Sequence, residues 1–323
     1  MKAIQIQQHG GPEVMQVVDV ESREPDSNEV SIHIAAAGVN FIEIYQRSGL
    51  YEVPLPFILG QEAAGIVESV GKNVKDFKPG DRVAYASVPG GSYATSNVVP
   101  ASRVVRVPQE IGLKHAAAVM LQGMTAHYLA RTIYPLKEGD TCLVHAAAGG
   151  VGLLLCQIAR MQGATVIGTT STEKKAELAR GAGAEHIIFY TREDVRERVR
   201  DITEGRGVDV VYDSVGKDTF DDSLSSLRMR GMMVSFGQSS GPVPPFDVLT
   251  LSKKGSLFLT RPTLAHYMAE RAELEQRAED LFKWMIDGKL KVRIDSEFVL
   301  ERVGDAHAAL ESRRTAGKVL LVP

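Results

Sequence analysis

The sequence predicts an α/β protein that combines a doubly wound parallel sheet with a second, antiparallel barrel-like domain. Three observations support this prediction. From Val119 onward, short apolar segments alternate with amphipathic ones, a pattern typical of parallel strands joined by helices. A glycine-rich turn connects the first of these strands directly to an apolar helix. Before residue 120, short alternating segments are separated by Gly and Pro, which is typical of antiparallel strands.

The first domain is predicted from segments with a period of two residues. Residues 30–36 and 64–70 alternate in this way, so each is expected to be a strand with one buried face. Residues 78–83 are expected to form a turn that enters another strand. After residue 262, the pattern predicts a helix at 270–287, a strand at 298–300, a helix at 303–312 and a last strand at 318–322.

The second domain is predicted from alternating strands and helices. Strands are expected at residues 142–146, 165–169, 186–190, 208–213, 232–236 and 255–260, with helices at 173–180, 193–203 and 218–229. This order predicts right-handed crossovers and a parallel sheet. We therefore expect residues 125–262 to form one domain and residues 1–124 and 263–323 to form the other, with a cleft between them.

The turn after the first parallel strand predicts a dinucleotide site. It has the spacing Ala147-x-Gly149-x-x-Gly152, with Ala147 in place of the first glycine of the usual fingerprint. Small residues allow the backbone to approach a pyrophosphate, and the following helix directs unpaired N–H groups toward it. The alternative is an ordinary glycine-rich loop. The dinucleotide interpretation predicts hydride transfer as the chemistry.

The end of the next strand favours NADPH over NADH. An acidic residue there would bind the ribose 2′-hydroxyl of NAD, but residues 170–172 are Thr, Ser and Thr. Lys174 and Lys175 follow on the next helix, and hydroxyl groups with a cation can bind a 2′-phosphate. The alternative is that these lysines form a solvated helix face.

Composition excludes several classes of protein. The 323 residues include 37 basic and 40 acidic side chains, so the net charge of −3 gives no reason to expect nucleic acid or an anionic membrane as the main partner. No apolar run resembles a signal peptide or a membrane span, so a cytoplasmic location is expected. Two cysteines in apolar segments predict buried thiols, and the scattered histidines predict no metal site.

One segment of the chain is highly specific: residues 139–160 contain an acidic turn, the strand, Ala-Ala-Gly-Gly-x-Gly and a downstream Gln. Residues 9–14, 38–43, 47–51 and 212–216 are further distinctive segments. With these segments, the chain closely resembles the zeta-crystallin-like quinone oxidoreductases of the medium-chain dehydrogenase/reductase superfamily over its whole length. The resemblance implies a Rossmann domain, a GroES-like catalytic domain and NADPH-dependent reduction of a quinone in the cleft.

The same resemblance places the chain in the zinc-free branch of the superfamily. Zinc-dependent relatives have a ligand Cys near the first glycine turn and a Gly-His-Glu motif. Here the corresponding residues are Asn40 and Gln61, and the loop with four cysteines for a structural zinc is missing. Without a Lewis acid, the site is poorly suited to oxidising an alcohol, whereas a quinone is already electron-poor.

The resemblance also assigns site residues. Asn40, Tyr45, Arg47 and Tyr51 are expected to line the nicotinamide and quinone pocket. Gln122 matches the linker that contacts the nicotinamide end, at a position where relatives often have a lysine. Residues expected to bind the cofactor are Thr125, Gly149, Gly150, Val151, Gly152, Ser171, Lys175, Tyr190, Ser214, Phe236, Gly237, Ser239 and Arg313. The alternatives are that Asn40 only holds a left-handed turn and that Tyr45 is a core aromatic residue.

Three functions remain open from the sequence. The first is quinone reduction by NADPH, and the second is reduction of the activated double bond of enals or enones by the same cofactor. The third is a non-catalytic structural or RNA-binding role. Relatives form dimers through the last strand of the parallel sheet, so a homodimer through residues 255–260 is expected, unless the following helix covers that edge.

Overall fold

The structure is a computed structural model that describes all 323 residues, and its contacts divide the chain into two units. Unit 1 comprises Met1–Met124 and Tyr267–Pro323, whereas unit 2 comprises Thr125–His266. None of the helices combines the length and the hydrophobicity that a membrane-spanning helix needs. Unit 2 is therefore formed by one continuous segment, and unit 1 by the two segments on either side of it.

The helices and strands follow one another in a single order along the chain. They are β1 (Lys2–Ile6), β2 (Met15–Asp19), β3 (Glu29–Val39), α1 (Phe41–Ser48), β4 (Phe57–Ile58), β5 (Ala63–Val70), β6 (Arg82–Tyr85), β7 (Ser96–Pro100), β8 (Val104–Arg106), α2 (Leu113–Tyr128), β9 (Thr141–Val144), α3 (Gly150–Met161), β10 (Thr165–Thr170), α4 (Glu173–Gly181), β11 (His186–Phe189), α5 (Val195–Ile202), β12 (Val208–Asp213), α6 (Phe220–Ser226), β13 (Leu227–Ser235), α7 (Leu249–Lys253), β14 (Phe258–Thr260), α8 (Arg271–Ile286), β15 (Ile294–Val299), α9 (Val303–Glu311) and β16 (Lys318–Val322). Short helical turns occur at Pro12–Val14, Ala101–Arg103, Leu129–Ile133, Leu264–Met268 and Leu300–Arg302.

Unit 1 is built on a seven-stranded sheet in which most neighbouring strands are antiparallel. The order is β15-β16-β3-β5-β6-β8, and β7 also pairs with β3; β2, β1 and β4 form a separate three-stranded sheet. The last strand, β16, lies antiparallel to β3, with Val319 opposite Val39. This pairing brings Lys318, from the end of the chain, next to Asn40 at the end of β3. Alternate residues of the strands fill the core of the unit, including Ile32, Val67 and Tyr85.

Unit 2 confirms the predicted doubly wound sheet. Its six parallel strands have the order β11-β10-β9-β12-β13-β14, so the strand before the glycine-rich turn, β9, is central. Strand β12 is buried along its whole length, as expected for a parallel sheet covered on both faces by helices. Because all six strands run in the same direction, the loops at their carboxyl ends lie along one edge of the sheet.

Three predicted elements of unit 2 differ from the structure by three residues or more. The strand predicted at 232–236 already begins at Leu227, as β13. The predicted helix at 218–229 is wrong at its end, because α6 stops at Ser226 and Leu227 already pairs with Val208 in the sheet. The three-residue spacing of Leu224 and Leu227 suits a helix, so the helix predicted from the sequence pattern is too long. The predicted edge strand at 255–260 begins only at Phe258, because Gly255 and Ser256 have φ angles of 115° and 56°.

Candidate active site

The glycine-rich turn in unit 2 has the geometry that a pyrophosphate requires. After β9, Ala146 adopts a φ of 51°, and α3 begins at Gly150 with Gly149 as its N-cap. A Cβ at Gly152 would collide with the carbonyl oxygen of Ala146, so only glycine permits this close approach. The first turn of α3 presents backbone N–H groups with no intrahelical acceptor, which suits an anion. The residues therefore fit a dinucleotide.

A buried hydrogen-bond network, which the sequence analysis did not identify, joins three loops at this edge of the sheet. His145 follows β9, and its ring nitrogens lie 3.2 Å from Thr169 Oγ1 and 3.1 Å from Ser223 Oγ. Ser223 donates to Asp213, whose other carboxylate oxygen accepts from the backbone N–H groups of Val215 and Gly216. Burial lowers the pKa of His145. The neutral ring thus connects the ends of β9, β10 and β12.

The residues predicted to bind the 2′-phosphate, Ser171 and Lys175, and the residue predicted to lie near the adenosine, Tyr190, follow neighbouring strands. Ser171 follows β10 and Tyr190 follows β11, and the backbone N–H of Tyr190 donates to the Thr170 carbonyl at 3.3 Å. Lys175 is in the first turn of α4, where its backbone N–H donates to the N-cap Thr172 at 3.4 Å. No carboxylate ends β10. The loop after β10 and the first turn of α4 therefore carry hydroxyl and cationic side chains of the kind that suit a phosphate.

On the other side of β9, Ser214 and Phe236 end the neighbouring strands β12 and β13. The N–H of Ser239 donates to the Ser214 carbonyl at 3.2 Å, and a Cβ at Gly237 would lie 2.5 Å from that oxygen. These four predicted residues thus form one small surface. Thr125 is buried in α2, and Arg313 belongs to unit 1, where it is exposed and follows α9.

Unit 1 contains a buried cluster of polar groups around Asn40. The Asn40 Nδ2 donates to Glu62 Oε1 at 2.7 Å, and Asn40 Oδ1 accepts from Lys318 Nζ at 2.7 Å and from Gln122 Nε2 at 3.3 Å. Lys318 also forms an ion pair with Glu62, and the two side chains are only 1% and 0% exposed. Because a buried charge is costly without a partner, this pairing is required for both groups to be buried.

The backbone conformation at Asn40 and the absence of a side chain at Gly38 allow these polar groups to pack together. Asn40 has φ −136° and ψ 168°, which is extended, so the left-handed turn considered from the sequence is wrong. Its backbone N–H donates to Glu43 in the first turn of α1 at 2.8 Å. Gly38, on β3, has no side chain, and a Cβ there would collide with Glu62 and lie 2.6 Å from Lys318 Cε. Glycine thus makes room for the ion pair.

Glu43 is a second buried carboxyl group beside the cluster. Its oxygens accept from the backbone N–H groups of Asn40 and Gln61 at 2.8 and 3.2 Å. Burial raises the pKa of Glu43 to about 8, although Lys318 acts in the opposite direction. Glu43, Glu62 and Lys318 were all missed by sequence reasoning, although charged residues beside apolar strand residues were a usable signal.

The predicted aromatic residues of unit 1 lie together. Tyr45 is buried in α1, its ring centroid is 5.2 Å from that of Tyr51, and the two rings meet at 62°. Such an edge-on pair provides a rigid apolar surface for a planar ring. The structure thus places the two predicted tyrosines side by side.

Arg47 has internal partners that account for its charge. Its guanidinium donates to the Gly10 carbonyl at 3.2 Å and to Glu311 at 2.7 Å, and it lies 3.1 Å from a ring nitrogen of His307. The His307 Nε2 is 3.2 Å from the Tyr93 hydroxyl. Burial, assisted by Arg47, lowers the pKa of His307 to about 3. We therefore interpret Arg47 as a residue that holds α1 against α9.

Comparison with known proteins gives consistent matches. Residues 150–284 match the family model described as zinc-binding dehydrogenase, and residues 26–109 match the alcohol dehydrogenase GroES-like domain. A quinone oxidoreductase of Pseudomonas aeruginosa is 47% identical over 323 residues, with 100% of this chain and 99% of the relative covered. A 2-haloacrylate reductase of a Burkholderia species is 43% identical, with 98% of each chain covered.

A solved structure extends this similarity to the backbone. The crystal structure of Escherichia coli quinone oxidoreductase complexed with NADPH has a TM-score of 0.98 and 46% sequence identity, and 100% of each chain is covered. The fold and the two family models define the chain as a medium-chain dehydrogenase/reductase. Within that class, it belongs to the quinone oxidoreductase family.

The zinc that the name of the first family model implies does not fit the residues present here. No group of three or more His, Cys, Asp or Glu side chains is arranged to hold a metal ion. Asn40 and Gln61 offer amides, which are poor zinc ligands, and Glu62 is already bound to the Lys318 ammonium. The charge that balances Glu62 therefore comes from a lysine of the same chain.

Proposed function

We propose that the chain is an NADPH-dependent quinone oxidoreductase. The observation that carries the proposal is the edge of the unit 2 sheet. There, the glycine-rich turn between β9 and α3 lies beside a loop that has Ser171 and Lys175 but no carboxylate. The identities of 46–47% with quinone oxidoreductases over essentially whole chains support the same activity.

Each group of residues at this edge has a separate task in the proposal. The turn at Gly149–Gly152 binds the pyrophosphate through backbone N–H groups, since glycine at 152 lets the helix approach the turn. Ser171, Lys175 and Tyr190 bind the 2′-phosphate and the adenosine. Ser214, Phe236, Gly237 and Ser239 bind the nicotinamide half, and Thr125 and Arg313 remain additional candidates for cofactor contacts.

Unit 1 supplies the groups that bind the acceptor. When bound, NADPH supplies a hydride to an electron-poor ring or double bond. A quinone that gains a hydride and one proton becomes a hydroquinone, so a site for it must stabilise negative charge on oxygen. Asn40 offers an amide N–H for this purpose, and the rings of Tyr45 and Tyr51 pack against a planar acceptor. A quinone needs no Lewis acid, because it is already electron-poor and because water can protonate the reduced oxygen, which becomes a weakly acidic phenol.

Reduction of an activated carbon–carbon double bond is the second candidate function. It is favoured by the 43% identity with a 2-haloacrylate reductase over nearly the whole chain. The two reactions use the same hydride donor, and the shape of the acceptor pocket separates them. The non-catalytic role considered from the sequence has no comparable support.

The experiment measures anaerobic oxidation of NADPH and NADH by the purified protein against para-quinones, ortho-quinones, enones and 2-haloacrylates. Turnover of quinones with NADPH at a higher kcat/KM than for the other acceptors is the expected result. Turnover restricted to enones or haloacrylates would assign the chain to the second function. NADPH binding without turnover of any acceptor would contradict both.

We also propose a homodimer formed through the edge strand of unit 2. Strand β14 ends the sheet, and exposed apolar side chains lie on it and on its neighbour β13, including Phe258 and Met229. An apolar sheet edge favours pairing with a second copy. Light scattering should give twice the 35.1 kDa chain mass, and Phe258→Lys should lower it. A monomeric wild type would exclude the dimer.

The cytoplasmic location stays a prediction, which fractionation of cells would test.

A further inference from the structure

The Asn40 amide has its orientation fixed by two charged neighbours. A lysine ammonium can only donate hydrogen bonds, so the Asn40 atom that faces Lys318 at 2.7 Å must be the carbonyl oxygen. A carboxylate can only accept, so the atom that faces Glu62 at 2.7 Å must be the amide nitrogen. Gln122 adds a second donor to the same oxygen. A flipped amide would place like groups against each other at both contacts.

This arrangement leaves one defined hydrogen-bond donor. The Asn40 Nδ2 carries two hydrogens, and one of them is used by Glu62. The second has no acceptor within the protein, although Asn40 is only 5% exposed. The ammonium draws electron density toward Oδ1, which makes the remaining N–H a stronger donor.

The ion pair is also held rigidly in place. Glu62 is bound through its other oxygen by the backbone N–H of Leu121 at 2.6 Å. Lys318 lies at the start of β16, whose pairing with β3 fixes its distance from Asn40. Gly38 leaves space for the lysine stem beside β3, since a Cβ there would lie 2.6 Å from Cε. A fixed dipole of this kind needs no rearrangement when charge develops next to it.

We propose that Lys318 is a positioning residue that acts through Asn40. Its ammonium fixes and polarises the amide, so that the second Nδ2–H donates to the acceptor's carbonyl oxygen as negative charge develops there. The proposal rests on the proposed reduction of a carbonyl-containing acceptor, and it adds the specific group that orients the hydrogen-bond donor.

The test compares Lys318→Met, Asn40→Ala and the double variant with the wild type. Lys318→Met should lower kcat about 10- to 100-fold and change the Kd of NADPH less than about twofold. Asn40→Ala should have a similar effect, and the double variant should be no slower than Asn40→Ala alone, because the lysine acts through the amide. Multiplying losses in the double variant would overturn the proposal, and so would an unchanged kcat in Lys318→Met.

A further variant separates positioning from folding. Lys318→Met leaves the Glu62 carboxylate buried without its cation, whereas Glu62→Gln/Lys318→Met removes both charges. This double variant should recover the Tm toward the wild-type value and keep the low kcat. Recovery of kcat together with Tm would show a purely structural role and overturn the proposal.

The matched control is Lys114→Met, which breaks the exposed ion pair between Lys114 and Glu297 in the same unit. Its kcat and Tm should equal those of the wild type, because exposed ion pairs contribute little. A large loss of NADPH affinity in Lys318→Met with unchanged kcat would assign the donor to the cofactor and overturn its assignment to the acceptor oxygen. A wild type that reduces no acceptor would instead contradict the proposed function.

Discussion

Gly38 lacks a side chain at a point where two buried charged groups occupy the adjacent space. A Cβ there would collide with Glu62 and lie 2.6 Å from Lys318 Cε, and neither group can move into solvent. We expect Gly38→Ala to lower the free energy of unfolding by about 1–3 kcal/mol, as overpacking of a core does. Urea denaturation followed by fluorescence measures this change.

The control for this substitution is Gly304→Ala in α9 of the same unit. A Cβ at Gly304 would meet no atom closer than 4.0 Å, and its position is helical. The stability of Gly304→Ala should therefore be equal to or slightly above that of the wild type, because alanine favours the helix. A Gly38→Ala variant as stable as Gly304→Ala would contradict the steric argument.

Lys175 is expected to provide most of the discrimination between NADPH and NADH. It lies in the first turn of α4, four residues after Ser171, and only NADPH has a 2′-phosphate for its ammonium to bind. Lys175→Ala should raise the Kd of NADPH about tenfold or more, since a charge-assisted hydrogen bond is lost, and leave that of NADH unchanged. Fluorescence titration of both cofactors measures this. Lys174→Ala, at the preceding and exposed position, is the control, and equal effects of the two variants would refute the assignment.

Sequence reasoning reached individual site residues unevenly. Asn40, Tyr45 and Tyr51 were predicted from the resemblance, and the structure places the two tyrosines side by side. Glu62 and Lys318 were missed, because they are 256 residues apart and meet only through the pairing of β16 with β3. Long-range pairing of this kind leaves no periodic signal in a local window of sequence.

The pairing of α1 with α9 predicts a dependence of stability on pH. His307 in α9 is buried against Arg47 and Tyr93, and burial, with a smaller effect of Arg47, lowers its pKa to about 3 from an unfolded value near 6.5. Between these values the unfolded chain binds a proton that the folded chain does not. The contribution of His307 to the free energy of unfolding is therefore fully present above about pH 6.5. It falls as the pH drops toward 3, by at most about 1.4 kcal/mol per pH unit.

The variant His307→Gln tests this element-scale prediction. An uncharged amide can accept from Arg47 and donate to Tyr93, so it keeps the contacts and removes the titrating group. Urea denaturation between pH 7 and pH 4 should give a shallower loss of stability than in the wild type. His33→Gln, which replaces an exposed histidine of β3, should keep the wild-type slope. Identical slopes for His307→Gln and the wild type would contradict the prediction.

The bounds of helices and strands are predicted correctly where the local pattern of apolar residues fits only one type of element. Strand β12 and strand β16 occupy the predicted residues 208–213 and 318–322, because each is a short, mostly apolar segment rich in valine and leucine. The end of α6 did not follow, since Leu227 suits both a helix and a strand and only its pairing with Val208 decides. The resemblance to a family supplied the topology that local periodicity could not.

At the scale of the whole molecule, most of the residues proposed to bind the cofactor lie in unit 2. The glycine-rich turn, the loop after β10 that contains Ser171, and the loops after β12 and β13 all come from the single segment Thr125–His266. A ligand that binds only the folded state raises the free energy of unfolding by an amount that depends on its concentration relative to Kd. Bound NADPH is therefore expected to stabilise unit 2 directly.

We expect NADPH at one hundred times its Kd to raise the free energy of unfolding of unit 2 by about 2.7 kcal/mol. NADH at the same concentration should add less, because it lacks the phosphate that Ser171 and Lys175 are proposed to bind. Thermal or urea unfolding with each cofactor, followed by a probe in unit 2, makes the comparison at equal protein concentration. The chain has a single tryptophan, Trp284 in α8 of unit 1, so the unit 2 signal requires an added label. Equal stabilisation by the two cofactors would show that the loop after β10 does not recognise the phosphate.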